Sequence, residues 1–200
     1  MAGSGPEEAS AQAARAAQPS RRLAARGRGE RAWTRGAQAG SELDLEELYR
    51  AHWGRAYRAA YLVVHDAAAA EDIAQEAFLA AIRALDRFDR RRPFGPWLHR
   101  IVVNRAIDWA RGRSLRGEVG DESLAAVAAP SKQSNDDFER ILAAMRELSP
   151  EHRAVIVLRH LLEYTPGQIA GVLDLPRGTV NSRLRRGLDE LARRLGEDST

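Results

Sequence analysis

Leu45, Leu48, Tyr49, Trp53, Ala56, Tyr57, Ala60, Tyr61 and Val64 recur at helical spacing and predict one long amphipathic helix beginning near Leu43. Asp66 is placed to cap a second helix, in which Ile73, Ala77, Phe78, Ala81, Ile82 and Leu85 turn inward. Glu71, Asp72, Gln75 and Glu76 then share its outer face and make it acidic. A loop punctuated by proline and glycine, Asp89-Arg90-Arg91-Arg92-Pro93-Phe94-Gly95-Pro96, precedes a third helix carrying Trp97, Leu98, Ile101, Val102, Ile107 and Trp109. Beyond it, residues 114–135 lose all periodicity and read as a flexible linker. Phe138, Ile141, Leu142, Met145 and Leu148 restart a helix, and Ser149-Pro150 opens another with Val155, Leu158 and Leu162 facing in.

The last two helices are the most sharply signalled. Thr165 is an N-cap, Pro166 sits where a missing N–H costs nothing, and Gln168 can reach back to the cap. Ile169, Ala170, Val172 and Leu173 form the apolar side, and Asp174-Leu175-Pro176 breaks the pattern. It resumes at Val180, Leu184, Leu188, Leu191 and Leu195, which are expected to turn inward. Asn181, Ser182, Arg185 and Arg186 then occupy the opposite face, with Thr179 and Arg183 beside them. Two short helices joined by a tight turn, the second presenting arginine, make a helix-turn-helix suited to a major groove.

The expected fold class is all-α: two small helical domains, residues 42–113 and 136–197, joined by the 114–135 linker. Residues 1–41 hold almost no large apolar side chain before Trp33, so they are expected to remain a disordered basic extension. Arg15, Arg21, Arg22, Arg26, Arg28, Arg31 and Arg35 either attract nucleic acid nonspecifically or only solvate it. Among the third helix's tryptophans stand Arg100, Asn104, Arg105, Arg111 and Arg113, a mixture that fits unpaired nucleic acid and equally fits a core with a solvated edge.

Net charge changes little in this picture, being only +3 at pH 7, so the basic groups must cluster to matter. Cysteine is absent, which excludes disulfides, thiolate metal sites and cysteine nucleophiles. His52, His65, His99, His152 and His160 show no metal-ligand spacing, and no phosphate loop or nucleophile motif occurs. No catalytic residue, metal or cofactor is therefore expected. With no run long enough to span a membrane and no signal-peptide core, a cytoplasmic location is expected.

Two segments carry a resemblance. Ala70-Glu71-Asp72-Ile73-Ala74-Gln75-Glu76-Ala77-Phe78 with Phe94-Gly95-Pro96-Trp97-Leu98-His99-Arg100-Ile101-Val102-Val103-Asn104 resembles region two of bacterial extracytoplasmic-function (ECF) sigma factors. Gly178-Thr179-Val180-Asn181-Ser182-Arg183-Leu184 is similar to their region four. The resemblance implies a non-catalytic, dissociable subunit whose partners are core RNA polymerase (clamp helices and flap), promoter DNA and an anti-sigma protein. It implies that Glu71, Asp72, Gln75 and Glu76 dock on the clamp helices. Phe88, Ile101 and Asn104, with Ala84 nearby, match the positions that receive a flipped base of the minus-ten element, and Trp97, Arg100 and Arg105 would bind the same element. Thr179, Asn181, Ser182, Arg183, Arg185 and Arg186 would face the minus-thirty-five duplex.

Energy explains why such a subunit needs an enzyme. Opening about ten base-pair steps at roughly 1.4 kcal/mol each costs about 14 kcal/mol, comparable with the whole binding energy of a nanomolar complex. Asn181, Asp174 and Gly187 depart from the family pattern, where a basic residue, glycine and alanine are usual. If exposed, Gly187 is expected to cost its helix about 1 kcal/mol relative to alanine. The alternative is a dimeric helix-turn-helix regulator, but a response-regulator half would alternate strands with helices, and no such pattern is present.

Overall fold

The computed structural model describes residues 29–116 and 132–197, and these are helical throughout apart from short connections. A helix over residues 29–38, here α1, precedes α2 (Glu42–Val64), α3 (Ala67–Arg83), a 3₁₀ turn (Leu85–Arg87) and α4 (Phe94–Leu115). Helix α5 (Lys132–Arg146) leads to α6 (Pro150–Ile156), which continues as a π-helical segment over Val157–Leu161. Helices α7 (Pro166–Leu173) and α8 (Arg177–Glu197) complete the chain. None of the described helices is long and apolar enough to cross a membrane.

Helix starts follow the capping chemistry. Asp66 accepts from Ala69 N–H at 2.9 Å, and Ser149 accepts from His152 N–H ahead of Pro150. At α7, Thr165 and Gln168 close a reciprocal capping box, which satisfies the N–H groups of both residues, while Pro166 has none to satisfy. Asp174 ends α7 at φ 55, in the left-handed region where glycine is favoured, and aspartate tolerates that conformation better than most side chains. Ser41, which starts α2, had no expected role.

Helices α2, α3 and α4 pack on one another around Leu48, Tyr61, Phe78, Leu98 and Val102. The second unit gathers α5, α6 and α7 around α8, burying Leu158, Ile169 and Val180. The two units pack on one another: α6 lies against α2 and α4, α7 lies against α4, and their buried side chains are continuous.

Several expectations need correction. Residues 29–38 fall within the stretch expected to be disordered, yet they form a helix that packs Trp33 and Ala37 on the core and buries Thr34. Residues 1–28 of that expected extension lie outside the described residues. Helix α4 starts at Phe94, because Pro96 falls within the first turn where its missing N–H is tolerated. The linker expected over 114–135 is shorter at both ends, since α4 reaches Leu115 and α5 begins at Lys132; residues 117–131 lie outside the described set. Ile82 and Leu188, expected to face inward, are 38% and 39% exposed, and Tyr49, Phe138 and Ile141 are comparably open. Each lies at the edge of an apolar stripe wider than the surface its neighbours cover.

Gly187 is buried rather than exposed, so helix propensity alone does not decide the effect of replacing it. A Cβ there would stand 3.1 Å from His152 Cβ and 3.2 Å from Ile156 Cδ1. The glycine lets α8 approach α6 closely. Gly187→Ala is therefore expected to lower thermal stability, overpacking of about 1–3 kcal/mol outweighing a propensity gain of about 1 kcal/mol. A melting temperature raised by the substitution would contradict this account of the crossing.

Candidate nucleic-acid interface

A surface cleft of about 350 Å³ opens where α3 ends and α4 begins, lined by Ala84, Arg87, Phe88, Asp89, Arg92 and Trp97. The 3₁₀ turn contributes its last residue, Arg87, to the lining. Phe88 is only 8% exposed and stacks on Trp97 with ring centroids 4.5 Å apart, while Phe94 meets both rings edge-on. Phe88 therefore supports Trp97 from below more than it forms an open wall. Asp89 accepts from Arg91 N–H at 2.9 Å and turns the arginine-bearing loop.

Three expected residues, Ala84, Phe88 and Trp97, are brought together by this cleft. Ile101 and Asn104, half-buried, lie one and two turns further along the Trp97 side of α4 and do not line it. Arg87 and Arg92 do, and they were missed. The visible signal was the arginine run 90–92 ahead of Pro93, although only its last member reaches the cleft. Arg100 is exposed with Asp174 3.7 Å away, and Arg105 stands 3.3 Å from Glu76.

On α8, Asn181, Arg185 and Arg186 are exposed, and Thr179, Ser182 and Arg183 are half-buried. Ser182 Oγ donates to the Thr179 carbonyl at 2.9 Å, so its hydroxyl proton is engaged within the helix. Arg183 lies close enough to Glu151 to help hold that carboxyl low. Along α3, Glu71, Asp72, Gln75 and Glu76 are all exposed. Leu79 and Ile82 extend that face with apolar surface, 50% and 38% exposed. Among the described residues no group of acidic, histidine or cysteine side chains could hold a metal ion.

Residues 48–116 match the family model Sigma-70 region 2, and residues 138–191 match Sigma-70, region 4. The ECF RNA polymerase sigma factor SigW of Bacillus subtilis is 32% identical over 76% of this chain and 87% of its own length. This chain belongs to the ECF RNA polymerase sigma factors. SigL of Mycobacterium tuberculosis, another ECF sigma factor, is 34% identical over 81% of this chain and 94% of its own. Among solved structures, CnrH in complex with the cytosolic domain of CnrY is similar, with a TM-score of 0.67 and 26% identity, covering 85% of this chain and 99% of CnrH.

In this sigma factor the seam between the two units is polar as well as apolar. His99 Nδ1 and Tyr164 Oη share a 2.7 Å hydrogen bond, and Arg111 reaches Glu151 at 2.5 Å. Arg153 is buried and donates to the carbonyls of Leu148 and Val63. Because α2 has no basic residue in its last turn, Arg153 from the second unit supplies the cation its C-terminus lacks. Burial lowers the Arg153 pKa to about 10, with Glu151 opposing, so it stays charged at neutral pH. His65, in the left-handed C-cap of α2, is lowered to about 3 by burial and then by Arg153 and Arg146. Burial also lowers His99 to about 3, helped by His52 and Arg55 and opposed by Glu30. Both imidazoles are neutral in the folded protein.

Proposed function

We propose that the chain lends promoter specificity to core RNA polymerase through three separate surfaces. The acidic face of α3 docks on the polymerase clamp helices, where complementary potentials speed encounter and fix register. Helix α8 places Asn181, Arg185 and Arg186 in the major groove of the minus-thirty-five duplex, with Thr179, Ser182 and Arg183 at the flanks. The cleft beside Trp97 receives an unstacked base of the minus-ten non-template strand. Asn104 and Ile101 engage the strand further along α4, and Arg100 and Arg105 attract its phosphates.

The observation that supports this reading best is the cleft itself, which combines an aromatic platform with Arg87 and Arg92 at a loop rim. Stacking on such a platform is worth about 1–3 kcal/mol per base and tolerates any base identity. Recognition of a particular base then falls to a group such as Asn104, whose amide carries both donor and acceptor. The apolar end of the α3 face and the open apolar residues of α5 and α8 suit protein contacts, among them the polymerase flap and an anti-sigma partner of the kind CnrH has in CnrY.

In vitro transcription with core polymerase and a genomic template library is the direct test, with start sites mapped in the presence and absence of the protein. Discrete start sites that depend on the protein are expected, and none would refute the reading. On such a promoter, Asn104→Ala is expected to reduce permanganate reactivity of the melted strand about tenfold or more while gel shifts of the closed complex change little. Equal strand opening by mutant and wild type would remove Asn104 from the strand path.

A further inference from the structure

Helix α1 touches the loop that forms the cleft at both of its ends. At one end, Glu30 Oε1 accepts from the backbone N–H groups of Phe94 at 2.5 Å and Gly95 at 3.4 Å. Pro93, the N-cap of α4, has no side chain able to cap, so the first donors of α4 are satisfied from a helix 64 residues earlier. The other carboxylate oxygen of Glu30 lies 3.3 Å from His52 Nε2. Gly95 makes room for this arrangement, since a Cβ there would stand 3.1 Å from His52 Cε1. At the other end, Gln38 Nε2 donates to the carbonyls of Leu85 at 2.7 Å and Phe88 at 3.1 Å.

The helix is itself fixed. Trp33 and Ala37 pack on the core, and Thr34 is 2% exposed with its hydroxyl donating to the Glu30 carbonyl. Gly36 faces Asp44 so closely that any Cβ would overlap that carboxylate, at 1.7 Å. The turn between α1 and α2 is thus built for this packing.

We infer that Glu30 and Gln38 are positioning residues for minus-ten capture: α1 braces the 85–95 loop from both sides and holds the Phe88–Trp97 stack in the geometry that accepts an unstacked base. The inference rests on the proposed reading of the cleft. Neither residue faces the cleft, so both act through the loop backbone. A loop pinned at its two ends holds the stacking platform in one position relative to Asn104 on α4, and discrimination needs the stacked strand presented to that amide in one pose.

The test uses holoenzyme assembled with the full-length chain and a fluorescein-labelled non-template oligonucleotide covering the minus-ten segment of a mapped promoter. The readout is the ratio of affinities for the matched oligonucleotide and one with its minus-ten bases scrambled, a ratio that does not depend on the fraction of active protein. Glu30→Ala and Gln38→Ala are each expected to shrink that ratio about tenfold, with capture of core polymerase unchanged. Glu30→Gln, which keeps an acceptor for the Phe94 amide, is expected to recover part of it. A chain starting at residue 29 is expected to match the full-length protein, and one starting at residue 41 to lose discrimination. An unchanged ratio in both alanine variants, beside a wild type that discriminates, would overturn the inference while leaving the cleft reading intact. Loss of core capture in step with loss of discrimination would also overturn it, by making α1 a general folding element. A wild-type holoenzyme with no preference between the oligonucleotides would refute the cleft reading itself.

Discussion

Changing Asp72 and Glu76 together to lysine is expected to weaken capture of the chain by core RNA polymerase about thirtyfold or more. Three carboxylates, Glu71, Asp72 and Glu76, share one exposed face of α3 with Gln75, and among the described residues only Glu76 has a cation from another helix beside it, Arg105 at 3.3 Å. The double substitution reverses two charges and places a lysine next to Arg105, so the face becomes net basic where a basic partner is proposed. Disrupting charge pairs in an interface costs about 2–5 kcal/mol when they are desolvated, or roughly thirtyfold to several thousandfold in affinity. Because both side chains are exposed, the fold should tolerate the change within about 0.5 kcal/mol. Fluorescence titration of labelled protein with core enzyme measures the loss, and far-ultraviolet circular dichroism checks the fold. Undiminished affinity would move the docking surface elsewhere.

Mild acid is expected to loosen the protein well above the range in which carboxylates titrate. His65 and His99 have folded-state pKa values of about 3, below the ordinary 6.5. The unfolded chain therefore takes up protons first as the pH falls. Their contribution to stability is complete above about 6.5 and declines from there towards 3, each group costing up to about 1.4 kcal/mol per pH unit. For His99, which is almost fully buried, the fall from pH 6.5 to 5 amounts to about 2 kcal/mol. The half-buried His65 adds a smaller loss of the same sign. Both lie at the seam, where a new positive charge would meet Arg153 and Arg146 at His65, and Arg55 at His99. Glu30 behaves differently: burial raises its pKa, but His52 and the amides of Phe94 and Gly95 outweigh that and lower it, so its contribution is lost only in stronger acid. Thermal melts between pH 7 and 5 should show a falling midpoint, and His99→Gln should flatten the trend. A midpoint constant across that range would exclude neutral histidines at the seam.

What could be read from the sequence was mostly local. Thr165 with Gln168, Asp66 and Ser149 with Pro150 announce their helices because a cap and its recipient lie within one turn. Helix α1 was invisible for the opposite reason. Trp33 is its one large apolar side chain, and Glu30 and Gln38 find their partners 47 to 65 positions away. Periodicity located the apolar stripes of α3 and α8 but not their buried width, so Ile82 and Leu188 were assigned inward. Gly187 reads as a weak helix former because nothing local in the sequence reveals that α6 presses against it. The cleft was half legible: Phe88 and Trp97 stood out by residue type, whereas Arg87 and Arg92 are two among thirty arginines.

Arg100, on the helix proposed to hold the minus-ten strand, lies 3.7 Å from Asp174 at the turn of the helix-turn-helix. By their names the two promoter elements are separated by about 25 base pairs, roughly 85 Å of B-form duplex at about 3.4 Å per pair. On the reading proposed above, a closed clasp cannot bridge that span, and this shape would be a stowed one. The two proposed DNA-reading surfaces would then have to be prised apart before both halves of a promoter could be engaged together. Copies waiting without their enzyme would then stay largely silent on the chromosome instead of squatting on the sites they are meant to open.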